Sequence, residues 1–197
     1  MSPHTAIIQS IIQKKCFNSY LEIGVHIPAD NFDLIKCRFK IGVDPNGRAN
    51  FTGTSDEFFE MVGYEREMCY KLYSMQFDLI FIDGLHHYEQ VKKDLENALQ
   101  CLNYGGIIVI HDTNPAEERY TAVPRLERGR WNGDVYRVLP DLKNFDFVTC
   151  DWEANGVTVV KPGGTLLEHE EITYQQFNEN RIGITKLVNR QQFEEWI

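Results

Sequence analysis

The chain has 197 residues, with 20 Lys or Arg against 29 Asp or Glu and a formal net charge of −9. With 43% hydrophobic and 25% charged residues, it has the composition of a globular domain that can bury a core without disulfide or metal staples, and not that of a disordered chain. The acidic balance argues against broad binding of nucleic acid or anionic membrane, and no run of about 18 apolar residues provides a membrane span.

Residues 1–15 lack the basic start, unbroken apolar stretch and small-residue cleavage site of a secretion signal, and Ile7, Ile8, Ile11 and Ile12 recur there at helical spacing. Four near-continuous apolar runs follow, at 19–25, 39–43, 77–82 and 106–110. Each is rich in β-branched or aromatic residues and ends on a turn or polar cluster, as strands covered on both faces do. A helix is predicted over about 65–75, and another over 88–102, where Val91, Leu95, Ala98, Leu99 and Leu102 form one stripe and Gly105-Gly106 read as the stop. Strand, amphipathic helix and strand make a βαβ crossover, which implies a parallel sheet with helices on both faces.

Residues 113–130 are charged, include Pro115 and Pro124, and read as a long loop or lid. A helix is expected over 133–139, strands over 145–150 and 156–160, and tail helices over 173–180 and 190–196. No repeat or linker interrupts the chain, so 1–197 reads as one α/β domain. Its core lies at about 19–160, with the N-terminal helix and the C-terminal helical tail packed on it. Cys16, Cys37, Cys69, Cys101 and Cys150 are scattered singly, as reduced thiols filling buried or half-buried positions of a cytoplasmic protein would be.

In an open α/β sheet, ligands bind at the carboxyl ends of the strands where the strand order reverses. Those ends carry Glu22, Gly24, Asp44, Asp83, His111 and Asp112. Neither a G-x-G-x-x-G turn nor a GxxxxGK[ST] loop is present, which disfavours a phosphate-bearing cofactor. Converging carboxylates suit a ligand with positive charge and free hydroxyls, and S-adenosylmethionine offers a sulfonium, an ammonium and a ribose diol. Asp44 stands where an acid can accept both ribose hydroxyls, and Gly24 would permit close backbone approach to the cofactor.

The segments YLEIGV (20–25), IGVDP (41–45), TSDEFF (54–59), FIDGLHHY (81–88), GGIIVIHDTNP (105–115) and WNGDV (131–135) stand in the order and spacing of a known family. In them the chain resembles the class I S-adenosylmethionine-dependent methyltransferases, and within these a compact branch of sugar and surface-glycan O-methyltransferases. The resemblance implies a Rossmann-like, seven-stranded, mostly parallel sheet whose last strand, about 156–160, is antiparallel. It implies cofactor contacts from Glu22, Gly24, Val25, Asp44, Thr54, Ser55 and Asp83: Glu22 and Gly24 at the methionine part, Asp44 at the ribose, Thr54 and Ser55 near the adenine. The family's second glycine in the first loop is replaced here by residues 28–31, Pro-Ala-Asp-Asn, which stiffens that loop.

Methyl transfer to a hydroxyl requires an oxygen close to the methyl group and a base for its proton. His86, His87 and His111 stand at strand ends. In relatives with the D-G-x-H-x-Y pattern the place of His86 faces the active site, which makes His86 the first candidate base, with Asp83 and His111 beside it; His87 suits a helix cap or a solvent position. His111 equally suits a buried histidine tying two loops. Some oxygen methyltransferases of this fold hold a divalent cation such as Mg²⁺, and Asp83 and Asp112 match two of those places, with Asn114 or His111 able to assist. The alternative is that Asp83 holds the cofactor's ammonium or caps a helix while Asp112 orients a histidine.

Trp131 and Tyr136 are expected at the substrate opening or in the core. Arg125, Arg128 and Arg130 suit an anionic group of the substrate or a solvated loop, and residues 168–171 suit a solvated face. The expected partner is a small-molecule or glycan acceptor, a homo-oligomer is compatible with the sequence, and neither nucleic acid nor a membrane span is expected. Two other readings remain: a cation-dependent methyltransferase of catechol-like compounds, and a non-catalytic module that binds a nucleoside or a partner protein.

Overall fold

The structure, a computed structural model, describes residues 1–68 and 75–197. Helix α1 (Pro3–Lys15) begins where the sequence supplies a cap: the Ser2 hydroxyl accepts the Thr5 N–H, and Pro3 takes a first-turn position that needs no amide. Eight strands form one sheet: β1 (Ser19–Ile23), β2 (Phe39–Asp44), β3 (Phe51–Thr52), β4 (Phe77–Ile82), β5 (Leu102–His111), β6 (Asp146–Cys150), β7 (Val157–Lys161) and β8 (Leu187–Val188). Their order is β3-β2-β1-β4-β5-β7-β6-β8, and only β7 runs antiparallel to its neighbours. The helices between and after them are α2 (Ser55–Met68), α3 (Tyr88–Cys101), α4 (Tyr174–Glu179), α5 (Arg181–Thr185) and α6 (Arg190–Trp196).

Strand periodicity divides the core into two layers. Leu21, Ile80, Ile82, Ile108 and Ile110 pack on one face with Phe58 of α2, Leu95 of α3 and Phe177 of α4. Tyr20, Leu79, Phe81, Ile107 and Val109 face the other way, against the four isoleucines of α1 and Phe193 of α6. No helix among the described residues is long and apolar enough to cross a membrane.

Five expectations need correction. The sheet has eight strands and not seven, so residues 156–160, though antiparallel as expected, do not form the last strand. The added β8 is two residues long, too short to show a period, and pairs in parallel with β6. The helix expected over 65–75 begins at Ser55; its part at 69–74 lies outside the described residues. Its start is a capping box, in which the Thr54 hydroxyl accepts the Glu57 N–H at 3.2 Å and the Glu57 carboxylate accepts the Thr54 N–H at 2.7 Å. The pair Gly105-Gly106 does not end α3, because the helix runs straight into β5 at Leu102. Gly105 instead belongs to a bulge and Gly106 follows it: Phe77 pairs with Leu102 but Leu79 with Ile107, leaving Asn103, Tyr104 and Gly105 looped out at the amino end of the strands. In place of a helix over 133–139 stand two short 3-10 turns, Val135–Val138 and Pro140–Leu142, with Pro140 beginning the second. Of the described cysteines, Cys37, Cys101 and Cys150 are buried or half-buried as expected, whereas Cys16 is exposed at the left-handed end of α1.

Candidate active site

The order reverses between β1, which is followed in the chain by β2 on one side, and β4, which lies on its other side. A cleft of about 820 Å³ opens at the carboxyl ends of these strands, large enough for a cofactor and a small acceptor. Every residue expected to contact a cofactor (Glu22, Gly24, Val25, Asp44, Thr54, Ser55 and Asp83) lines it, as do His86, His111 and Asp112.

Glu22 is 1% exposed. It accepts hydrogen bonds from the Tyr20 hydroxyl at 2.6 Å and from Asn31 Nδ2 at 2.8 Å, both on Oε2. Burial, only partly offset by these bonds, pushes its carboxyl up to about 8. Asn31, which follows the 3-10 turn Pro28–Asp30, is a site residue that the sequence reading missed. Asp44 accepts the backbone N–H of His26 on Oδ2 and that of Asn46 on Oδ1, each at 2.7 Å, which fixes its carboxylate at the end of β2. Gly24 has φ +88, and a Cβ there would lie 2.1 Å from the Asp83 carbonyl oxygen. Its lack of a side chain therefore lets the loops after β1 and β4 touch, while the residue itself lines the cleft.

The other end of the cleft is a cluster of imidazoles and acids. His111, 8% exposed, holds Asp83 Oδ1 at 3.0 Å from its Nδ1, with Asp112 Oδ2 at 3.3 Å. Burial works against charge on this ring, but the carboxylates of Asp83 and Asp112 outweigh it and hold His111 well above the ordinary imidazole range. Asp83 is affected in the opposite sense: burial opposes its charge, and His111 holds its carboxyl below the usual value. His86 sits with Nδ1 3.2 Å from Asp112 Oδ2 and Nε2 3.6 Å from Asp83 Oδ1. Its Nδ1 is buried and has no hydrogen-bond partner. Asp112 itself has φ +60, in the left-handed region that aspartate tolerates better than most side chains.

The WNGD segment builds the wall behind this cluster. The Trp131 ring stacks on the His86 ring at 4.9 Å and 15°. Asn132 Nδ2 donates to Asp112 Oδ1 at 3.1 Å. Gly133, at φ +61, packs against the His86 carbonyl, which a Cβ would approach to 1.8 Å. Asp134 Oδ1 accepts the Tyr88 N–H at 2.6 Å at the start of α3, whose N-cap residue, His87, makes no side-chain cap bond.

Trp131, Arg125 and Arg130 line the cleft mouth. Tyr136 does not; it is buried against Tyr174 and Phe177. Asn114 is drawn away by Arg181. His4 and Glu153, also missed from sequence, reach the far side of His111: the first lies next to the cap of a surface helix and the second in a hairpin turn, places that carry no chemical signature of their own.

Residues 38–113, under half of the chain, match the model of the family described as "Methyltransferase domain". No curated protein matches the chain in sequence. Among solved structures, the chain is similar to an O-methyltransferase from Bacillus cereus in complex with SAH, with a TM-score of 0.56, 15% identity and 82% of each chain covered. It is similar to the O-methyltransferase TomG from Streptomyces achromogenes, involved in tomaymycin synthesis and in complex with SAM (TM-score 0.51, 10% identity, 82% of this chain and 80% of that one). It is also similar to MycE, a methyltransferase of the mycinamycin biosynthetic pathway in complex with Mg, SAH and mycinamycin VI (TM-score 0.51, 15% identity, 82% of this chain and 48% of that one). At these identities the likeness is one of fold: the chain has the Rossmann-like α/β methyltransferase fold.

Proposed function

We propose that residues 1–197 form one S-adenosylmethionine-dependent methyltransferase domain that transfers a methyl group to a hydroxyl. The observation that carries this reading is a single cleft at the sheet's reversal point, with Glu22 and Asp44 at one end and His86, backed by Asp112 and Asp83, at the other. The family match to 38–113 and the methyltransferase fold support it. When bound, S-adenosylmethionine supplies an electrophilic methyl group on a sulfonium.

The chain's own residues do the rest. Asp44 keeps acceptor capacity beyond its two amide contacts and takes the ribose hydroxyls. Glu22, held by Tyr20 and Asn31, forms the floor beneath the methionine part, where a cationic ligand would favour its ionised form. Thr54 and Ser55 edge the adenine side. His86 removes the acceptor's hydroxyl proton, and Asp112 stabilises the resulting imidazolium. His111 does not act on the acceptor directly; it positions Asp83 through their 3.0 Å contact.

The acceptor is a small polar hydroxyl compound, and a sugar of a surface glycan or its precursor fits best. Trp131 provides an aromatic wall beside His86, and Arg125 and Arg130 add donors at the same mouth. Calorimetry with S-adenosylmethionine and S-adenosylhomocysteine tests the reading: both should bind, and binding of neither would end it.

One observation favours a second reading, a cation-dependent methyltransferase of catechol-like compounds. One donor atom each from Asp83, His86 and Asp112 lies within 4.8 Å of the others, and two carboxylates with an imidazole fit a divalent ion, which would lower the acceptor hydroxyl's pKa. His86 would then be a ligand and not the base. Activity lost in EDTA and restored by Mg²⁺ would favour this reading, whereas full activity in EDTA would exclude it.

A further inference from the structure

We infer that the chain carries a second metal site, distinct from the Asp83–His86–Asp112 group, in which His4, His111 and Glu153 bind one transition-metal ion of the zinc type. His4 comes from the start of α1, His111 from the end of β5 and Glu153 from the β6–β7 turn, three separate parts of the fold. One donor atom from each lies within 4.8 Å of the other two. His4 Nδ1 and His111 Nε2 are both buried without a hydrogen-bond partner. Two orphaned imidazole nitrogens facing one carboxylate are unusual, because buried polar atoms are almost always paired.

The positions of these three groups suit a metal ion. Glu153 is 9% exposed, and its Oε1 lies 3.8 Å from His111 Nε2, beyond hydrogen-bond range. On its other edge His111 holds Asp83 at 3.0 Å, the carboxylate–histidine arrangement that fixes a tautomer and leaves the opposite nitrogen free as a ligand. The His4 ring stands edge-on to His111, with ring centroids 4.9 Å apart. An ion about 2.0–2.2 Å from each donor needs them closer than 4.8 Å.

The donor set selects the ion. Two nitrogens and one carboxylate suit Zn²⁺ and its neighbours, whereas Mg²⁺ and Ca²⁺ prefer all-oxygen sites. The bound ion would clamp the start of α1 to the strand ends and lock the His111–Asp83 pair that lines the cleft.

The test is Zn²⁺ binding to the full chain without cofactor, so it stands or fails independently of methyl transfer. Titration against a chromogenic chelator should give one Zn²⁺ per chain, with excess Mg²⁺ failing to displace it. His4→Gln and Glu153→Gln should each weaken binding roughly 100-fold or more; the glutamine at 153 can still accept the Asn155 N–H. His86→Ala, which removes a donor from the other cluster without touching these three residues, should leave the affinity within about threefold. X-ray absorption of the Zn²⁺-loaded wild-type protein should show two imidazoles, and this needs no variant to fold. No stoichiometric binding, binding unchanged in both glutamine variants, binding lost in His86→Ala, or a one-imidazole shell would each overturn the inference.

Discussion

Strand β4 has an acid at both ends, and the two are treated in opposite ways. At the amino end, Asp78 accepts the N–H groups of Asn18 at 2.7 Å and Ser19 at 3.0 Å on one oxygen and Asn103 Nδ2 at 2.7 Å on the other. Its own N–H is bonded to the Ser19 hydroxyl at 2.9 Å. At the carboxyl end, Asp83 meets His111 and His86, in a cluster where His86 Nδ1, His111 Nε2 and His4 Nδ1 lack partners. A saturated acid fastens a loop. An acid set among unsatisfied nitrogens leaves bonding capacity for a proton, an ion or a substrate, which is why the chemistry is expected at one end of the sheet only.

The largest effect that would test this contrast is at His86. His86→Ala should lower kcat by about 10²–10⁴-fold while calorimetric affinity for S-adenosylmethionine stays nearly constant, and a matching fall in both would count against a base. Next comes Asp44→Ala, which removes charged acceptors from the ribose place. It should weaken cofactor binding roughly 10- to 150-fold, as read by calorimetry. Asp78→Ala is the counterpart at the other end: a loss of about 2 kcal/mol in urea unfolding, with kcat and cofactor affinity unchanged. A drop in turnover there would erase the distinction between the two ends.

The smallest effect is in pH. Burial opposes the Asp78 charge, but bonds from Asn18, Asn103 and Ser19 prevail and hold its folded pKa below the ordinary value. Its contribution is therefore complete above the unfolded pKa and is lost as pH falls through the folded one. The stability advantage of wild type over Asp78→Asn should be constant near neutrality and shrink below about pH 4. An advantage that grew on acidification would contradict the assignment.

The parallel half of the sheet was legible in the residues, because strands covered on both faces leave apolar runs that end abruptly, as 77–82 does before Asp83. Asp44 and Asp83 were legible for the same reason, because a polar residue closing such a run lies at a strand end, whereas Glu22 stands inside its run. What escaped has a physical reason in each case. The start of α2 is written in Thr54 and Glu57, but Thr54 reads as a contact near the adenine, which hides its part in the helix cap. Asn31 and Asn132 hold Glu22 and Asp112 from loops, where no periodicity marks which side chain turns inward. His4 and Glu153 meet only because three distant segments fold together, and neither stands in a motif. What fills the place of a side chain at Gly24 is a neighbouring backbone that no single-strand reading contains.

The bulge of Asn103, Tyr104 and Gly105 has a practical consequence. It lies at the end of β5 opposite His111, about 17 Å away along the paired residues 106–111 at ~3.3 Å per residue, with Tyr104 fully exposed and open space around Gly105. A loop already extruded from the ladder has no register to lose, so it can accept a fluorophore, an affinity handle or a short insertion without strain reaching the sheet. Immobilised there, the molecule would present its cleft to solution.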